Sequence, residues 1–209
     1  GNKLVVLTSK YQYYPLLGGM EKTMIAPYFY NGVYTSITVY DVTNKEAPTL
    51  IRNFTTSGSY FNSRMIGDYV YVIVNQPAAI YNDVVTLPTV YTEGKQVATS
   101  AKAVYYANNN QTSYYSFTSF YGLDIANRNQ QPTNLTVMMD STSTMYVSPS
   151  NIYVTNPTWD NTGSYTSIYR VSINGLQLSF DAKGSVPGSV LNKYAMDEYN
   201  GNLRIATNG

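Results

Sequence analysis

Ser59-Tyr-Phe-Asn-Ser-Arg-Met-Ile-Gly-Asp-Tyr-Val-Tyr-Val-Ile-Val-Asn75 reads as two strands, Tyr60–Ile66 and Tyr69–Val74, joined at Gly67-Asp68. The second is built only of Tyr, Val and Ile and is bounded by turn residues, the composition that fits a buried pleated surface. Its pattern returns. Asn151-Ile-Tyr-Val-Thr-Asn156 repeats the second strand, and Asn200-Gly-Asn-Leu-Arg-Ile-Ala-Thr-Asn208 repeats the turn and the strand.

Spacing turns this likeness into a period. Tyr71 to Tyr153 is 82 residues and Tyr153 to Arg204 is 51; Asp41 to Asp124 is 83 and Asp124 to Ser172 is 48. The long step is explained if residues 76–113 hold an insertion of about 34 residues, which leaves a period of about 48–51, that of a four-stranded propeller blade. The segment 76–113 is polar, dotted with tyrosines and weakly alternating, which suits a functional or covering loop.

The remaining chain is read around this frame. Asn2–Thr8 is a strand, Tyr11–Thr35 an irregular excursion, and Ser36–Asp41 and Thr49–Thr56 strands separated by a polar turn, with Gly58 closing the unit. Ser116–Ile125 and Asn134–Met139 follow the insertion. Thr144–Ser148 pairs Ile152–Thr155, and Ser167–Ile173 pairs Leu176–Phe180 across Asn174-Gly175, the strongest short hairpin signal. Asn192–Glu198 and Leu203–Thr207 begin a further unit. No stretch carries a helical period. The expectation is an all-β, propeller-like fold of antiparallel four-stranded blades. It has a partial blade at 1–58, a blade at 59–140 interrupted by 76–113, a blade at 141–186 and a partial blade at 187–209. About thirteen strands do not close a ring comfortably, so the reading is a piece of a larger propeller or chains that complete one another. A β-sandwich or barrel is the competing architecture.

Composition narrows function. Tyr supplies 23 of the 209 residues, and charged residues are 12%, about half the usual share. The surface is therefore made of Asn, Thr, Ser, Gln and Tyr, which suits a secreted or cell-surface protein. Net charge is +1 and no basic run exists, so the footprint of a nucleic-acid binder is missing. Cys and His are both absent, which removes disulfides, thiolate zinc sites and imidazole-dependent triads. No apolar run reaches the length of a membrane-spanning helix. No Gly-rich loop leads into a helix, and no cofactor is expected. Asn53, Asn110 and Asn134 head sequons that would accept N-linked glycan in a secreted protein; chance triplets in an Asn- and Thr-rich chain are the plainer explanation.

Few constellations could carry chemistry. Asp197-Glu198 could hold a hard cation or serve as acid and base, but strand neighbours point to opposite faces, so the carboxylates should diverge and end a strand as polar residues. Arg64 and Arg204 could grip a carboxylate or sugar acid bidentately, or act as structural partners of acids and carbonyls. The tyrosine clusters (Tyr11, Tyr13, Tyr14; Tyr28, Tyr30, Tyr34; Tyr105, Tyr106; Tyr114, Tyr115) and Trp159 are amphipathic surfaces suited to sugars and protein partners, or packing on sheet faces.

Two groups of residues carry a resemblance. One is Ile37-Thr-Val-Tyr-Asp-Val-Thr-Asn-Lys-Glu-Ala-Pro-Thr-Leu50 followed by residues 58–72; the other is 141–154 with 168–175 and the block 184–207. These resemble the secreted β-propeller domain proteins of archaea and bacteria, distantly similar to WD40-type repeats. The family's domain continues past the point matching Thr207. The resemblance implies a partial propeller, an extracytoplasmic setting and a noncatalytic role, with no catalytic residues to carry over. The expected function is a module binding a protein or glycan partner at the cell surface. A carboxylate-dependent polysaccharide enzyme and a surface-layer component that self-associates through open blade edges are the alternatives.

Overall fold

The computed structural model describes residues 1–14, 30–78, 80–81, 84–97, 100–106, 115–161 and 163–209. They form two compact units, Gly1–Tyr60 with Pro88–Thr99, and Phe61–Leu87 with Ser100–Gly209. Among the described residues there is no α-helix, only single 3₁₀ turns at Ala101–Ala103 and Lys193–Ala195.

The first unit is one antiparallel sheet. Strands β1 (Lys3–Tyr14), β2 (Tyr30–Asp41) and β3 (Thr49–Ser57) lie side by side. Of the excursion expected at 11–35, residues 11–14 and 30–35 are strand, and residues 15–29 lie outside the described residues. β1 pairs β2 from Lys3↔Asp41 to Tyr14↔Tyr30, because backbone pairing continues where the side-chain alternation has faded.

In the second unit, β4 (Ser59–Ile66) and β5 (Tyr69–Pro77) open a blade. The described residues of the insertion then contribute five short strands: β6 (Ile80–Tyr81), β7 (Val84–Val85), β8 (Val90–Thr92), β9 (Lys95–Val97) and β10 (Val104–Tyr106). β8 and β9 form a hairpin that adds to β3 in the first unit, whereas β10 runs parallel to β12 (Thr133–Met139) at the edge of the second sheet. The insertion therefore lengthens blades at their edges. β11 (Ser116–Asp124) lies between β5 and β12, giving the order β10-β12-β11-β5-β4. A four-stranded blade follows in sequence order: β13 (Thr144–Val147), β14 (Asn151–Asp160), β15 (Gly163–Asn174) and β16 (Gln177–Pro187). The hairpin β17 (Met196–Tyr199) and β18 (Asn202–Ile205) starts another. Two whole blades and two partial ones are present, as the repeat spacing predicts.

Recurring local chemistry makes the repeat. Asp41 and Asp124 end equivalent strands, and their carboxylates accept from the backbone N–H of Thr43 and of Ala126 and Asn127. Three residues on, Asn44 and Asn127 accept from the N–H of Glu46 and Asn129. These are Asx turns, in which a short side chain stands in for a backbone acceptor. Blade closure is repeated too. Gly58 N–H donates to Val33 and Thr35 Oγ1 donates back to the Gly58 carbonyl at 2.8 Å; Gly188 N–H donates to Ser164 and Thr166 Oγ1 to the Gly188 carbonyl at 2.8 Å. Gly188 has φ +79°, and a Cβ there would collide with the Asn208 carbonyl. The hairpin after β15 turns on Gly175-Leu176, one residue later than read. Asn174 pairs Gln177, and only the first central residue has positive φ, as in a II′ turn.

The two whole blades share a core. Tyr71 and Ile73 of β5, Phe120 of β11 and Leu135, Val137 and Met139 of β12 meet Met145, Ile152, Val154, Tyr169, Val171 and Ile173 of the next blade. The opposite face of the β5–β11 pair is buried as well (Val70, Val72, Val74, Phe117, Tyr121), so this strand pair needs apolar residues at consecutive positions. Tyrosines enter the core by keeping their hydroxyls paired: Tyr71 donates to the Gly175 carbonyl at 2.7 Å and Tyr169 to Asp140 at 3.2 Å.

Ile152→Ala, at a position with no exposed surface, should cost about 2–5 kcal/mol in denaturant unfolding followed by circular dichroism. Gly188→Ala should cost at least about 1–2 kcal/mol from its left-handed backbone alone, whereas Leu191→Ala, 80% exposed, should stay within about 0.5 kcal/mol of wild type.

Candidate functional site

The innermost strands of successive blades in the second unit border a cleft of about 410 Å³. β4 supplies Asn62, Ser63 and Arg64; β13 supplies Met145, Tyr146 and Val147; Met196 of β17 and the preceding turn residues Lys193 and Tyr194 complete it. Met145 and Met196 are 5% and 4% exposed, so they form a floor with little free apolar surface. The rim is cationic and aromatic. Arg64 and Lys193 are exposed, and neither has an ion-pair partner among the described residues. The Lys193 ammonium lies 5.3 Å from the Tyr194 ring centroid. Among the described residues no carboxylate lines the cleft.

Local sequence places these groups. Asn192 Oδ1 accepts from the Tyr194 N–H at 2.9 Å and caps the 3₁₀ turn. The strand read as Asn192–Glu198 therefore begins only at Met196, and the preceding turn leaves Tyr194 85% exposed. The polar-aromatic tetrad Asn-Lys-Tyr-Ala ahead of an inner strand is the signal by which Lys193 and Tyr194 were findable. Read as part of a strand, the same residues carry no such signal.

Asp197 and Glu198 separate. Asp197 pairs with Arg204 opposite it on the hairpin, and the Arg204 guanidinium lies 5.0 Å from the Tyr199 ring centroid. Glu198 faces the preceding blade, where its carboxylate accepts from Tyr153 Oη at 2.8 Å and Asn151 Nδ2 at 3.0 Å. Its own N–H donates to Tyr146 Oη at 3.1 Å, and Tyr146 stacks on Tyr153 with ring centroids 6.1 Å apart. Burial pushes the Glu198 carboxyl up, but hydrogen bonds from Tyr153, Ser148 and Asn151 and the Arg170 charge outweigh it and hold the group below 4.5. Burial and the Glu198 contact push Tyr153 up to about 12. Glu198 is thus a latch between the hairpin and the neighbouring blade, one residue contact away from the cleft through Tyr146.

The other candidates lie apart. Trp159 is 68% exposed near the end of β14, opposite Ser164. Tyr105 and Tyr106 sit on the edge strand β10, about half exposed. Tyr105 lies 6.5 Å from the Phe180 ring, and Tyr106 shares a 3.2 Å hydroxyl contact with Tyr115. Tyr11, Tyr13 and Tyr14 end β1, Tyr30 and Tyr34 lie on β2, and Tyr28, Tyr114 and Asn110 lie outside the described residues. Asn53 is exposed on β3. Asn134, exposed at the start of β12, lines a second cleft of about 720 Å³ with Thr133, Ser172, Asn174, Gln177 and Ser179, where no side chain is charged. No group of three or more acidic side chains able to hold a metal ion occurs among the described residues. No helix there is long and apolar enough to cross a membrane.

The latch has a pH signature. A carboxyl held below its unfolded value contributes stability above about pH 4.5 and loses it as pH falls through the folded value. Glu198→Gln should lower stability by about 1 kcal/mol at neutral pH, the lower end of the range for a charged acceptor because the group is partly exposed. Wild type and variant should converge as pH drops below about 4.5, read by thermal unfolding across pH.

No curated protein and no solved structure matches the chain. The fold does have a family counterpart, since the Beta propeller domain family matches residues 1–209. With blades of the expected strand order and the recurring Asp and Gly turns in place, the chain belongs to the β-propeller domain family.

Proposed function

We propose that this chain is a noncatalytic propeller module, secreted or held at the cell surface, that binds a protein or glycan partner through the inner-strand cleft. The observation that carries this is the makeup of the rim among the described residues: two cations without ion-pair partners, two tyrosines, an amide and a hydroxyl, and no carboxylate. Acid–base cleavage of a glycosidic bond uses two carboxyl groups across one site. Asp197 is paired with Arg204 and Glu198 with Tyr153 and Asn151, so this geometry favours binding over that chemistry. The low charge content supports an extracytoplasmic setting.

Labelled protein applied to intact cells tests the reading. The doubly substituted Arg64→Ala/Lys193→Ala chain should bind at least about tenfold more weakly, as expected for losing charge-assisted contacts, and Lys45→Ala should bind like wild type. Protease or periodate treatment of the cells then separates protein from glycan partners. Equal binding by the double variant, or release of reducing ends from polysaccharide, would overturn it.

A second reading, self-assembly, is favoured by one observation. β1 is twelve residues long and has a hydrogen-bonded neighbour on one side only among the described residues, an edge open to a further strand. Sedimentation showing a monomer at every concentration would remove it.

A further inference from the structure

We propose that the cleft between β4, β13 and β17 takes an acidic glycan, a chain bearing uronic-acid carboxylates. The inference rests on the binding reading above and names its ligand class.

Charge is the first ground. The ion pairs among the described residues engage Lys3, Arg170 and Arg204; Arg64 and Lys193, which share this cleft, have none. Of the carboxylates near these cations in sequence, Asp197 and Glu198 are held by Arg204 and by Tyr153 and Asn151, and Asp68, exposed in the turn four residues past Arg64, makes no ion pair with it. The positive charge at the rim therefore has no neutralising carboxylate among the described residues, the Lys193 ammonium being met only by the Tyr194 ring. An Arg fork suits a planar carboxylate, and a Lys ammonium adds a second attraction that does not depend on orientation.

Shape and polarity are the second. The 85% exposed Tyr194 ring, with the Lys193 ammonium over one face, is presented by the Asn192-capped turn rather than buried in a core, which leaves the other face to a sugar ring. Asn62, whose Oδ1 accepts from the Ser63 N–H at 2.9 Å, also brings amide N–H groups suited to sugar hydroxyls. An acidic peptide brings carboxylates without a pyranose face and would leave the exposed Tyr194 ring without a stacking partner. The volume, about 410 Å³, falls in the range of small-ligand sites.

The test is calorimetric titration of the whole chain with four probes: polygalacturonate, its methyl ester, dextran sulfate and polyglutamate. Polygalacturonate should bind, with affinity falling as salt rises, and the methyl ester should bind at least about tenfold more weakly because it keeps the sugar and loses the charge. Arg64→Ala and Lys193→Ala should each weaken polygalacturonate about tenfold. Arg64→Lys should recover part of that loss, and Tyr194→Ala should weaken it by a factor of several. Unchanged melting temperatures would show that the variants fold. Equal affinity for the methyl ester overturns the inference, as does polyglutamate binding as tightly as polygalacturonate. Tighter binding of dextran sulfate that ignores Tyr194→Ala marks a nonspecific polyanion surface and overturns it as well. If the cleft variants abolish cell binding while polygalacturonate fails, the acidic-glycan inference falls and the binding module stands. If no binding depends on the cleft, both fall.

Discussion

A four-stranded blade has two apolar faces and can bury neither by itself, and the described second unit depends on that constraint. Tyr71, Ile73, Phe120, Val137 and Met139 on one blade are covered only because Ile152, Val154, Tyr169 and Val171 on the next come against them. Each fully buried side chain of this size contributes about 1.5–3 kcal/mol, so the seam between blades outweighs any single turn or cap. The same demand for a neighbour explains why the hairpin Met196–Ile205, two strands only, is fastened to the preceding blade by Glu198.

A core rich in tyrosine has a hydroxyl problem, because each buried O–H needs an acceptor. Tyr71 solves it with the Gly175 carbonyl, Tyr169 with Asp140 and Tyr153 with Glu198. The acceptors lie at blade ends or on the next blade, so tyrosines tie neighbouring repeats together as well as filling space. One consequence is the coupling of latch and cleft: Tyr153 holds Glu198, stacks on Tyr146, and Tyr146 both accepts from the Glu198 backbone and lines the cleft. Asp197 cannot join Glu198 in a catalytic pair, since strand geometry sends it to Arg204 instead.

The parts of the chain read correctly in advance are those governed by local rules. The Tyr-Val-Ile run at 69–74, the polar turn between Asp41 and Thr49 and the closing glycine at 58 each act within a few residues of themselves, and the spacing of Tyr71, Tyr153 and Arg204 gives the blade period once the insertion at 76–113 is set aside. The far reaches of β1 and β2 were missed because Tyr11–Tyr14 and Tyr30–Val33 alternate poorly, and their partners are supplied by pairing across the chain. Lys193 and Tyr194 were missed because the Asn192 cap, a contact of one side chain with one N–H, turns a strand pattern into a 3₁₀ turn.

From the amino-acid order alone came the all-β class, the four-stranded repeat, the count of two whole and two partial blades, and the exclusion of imidazole and thiol chemistry. Those follow from periodicity and composition, which every residue carries with it. Tertiary structure alone decided which distant residues share a surface: Arg64 with Lys193 and Tyr194 in one cleft, and Glu198 with Tyr153 and Asn151 in one latch. Residues 64 and 193 stand more than two blade periods apart along the chain. They meet because stacking blades brings inner strands side by side, and no local rule contains that stacking.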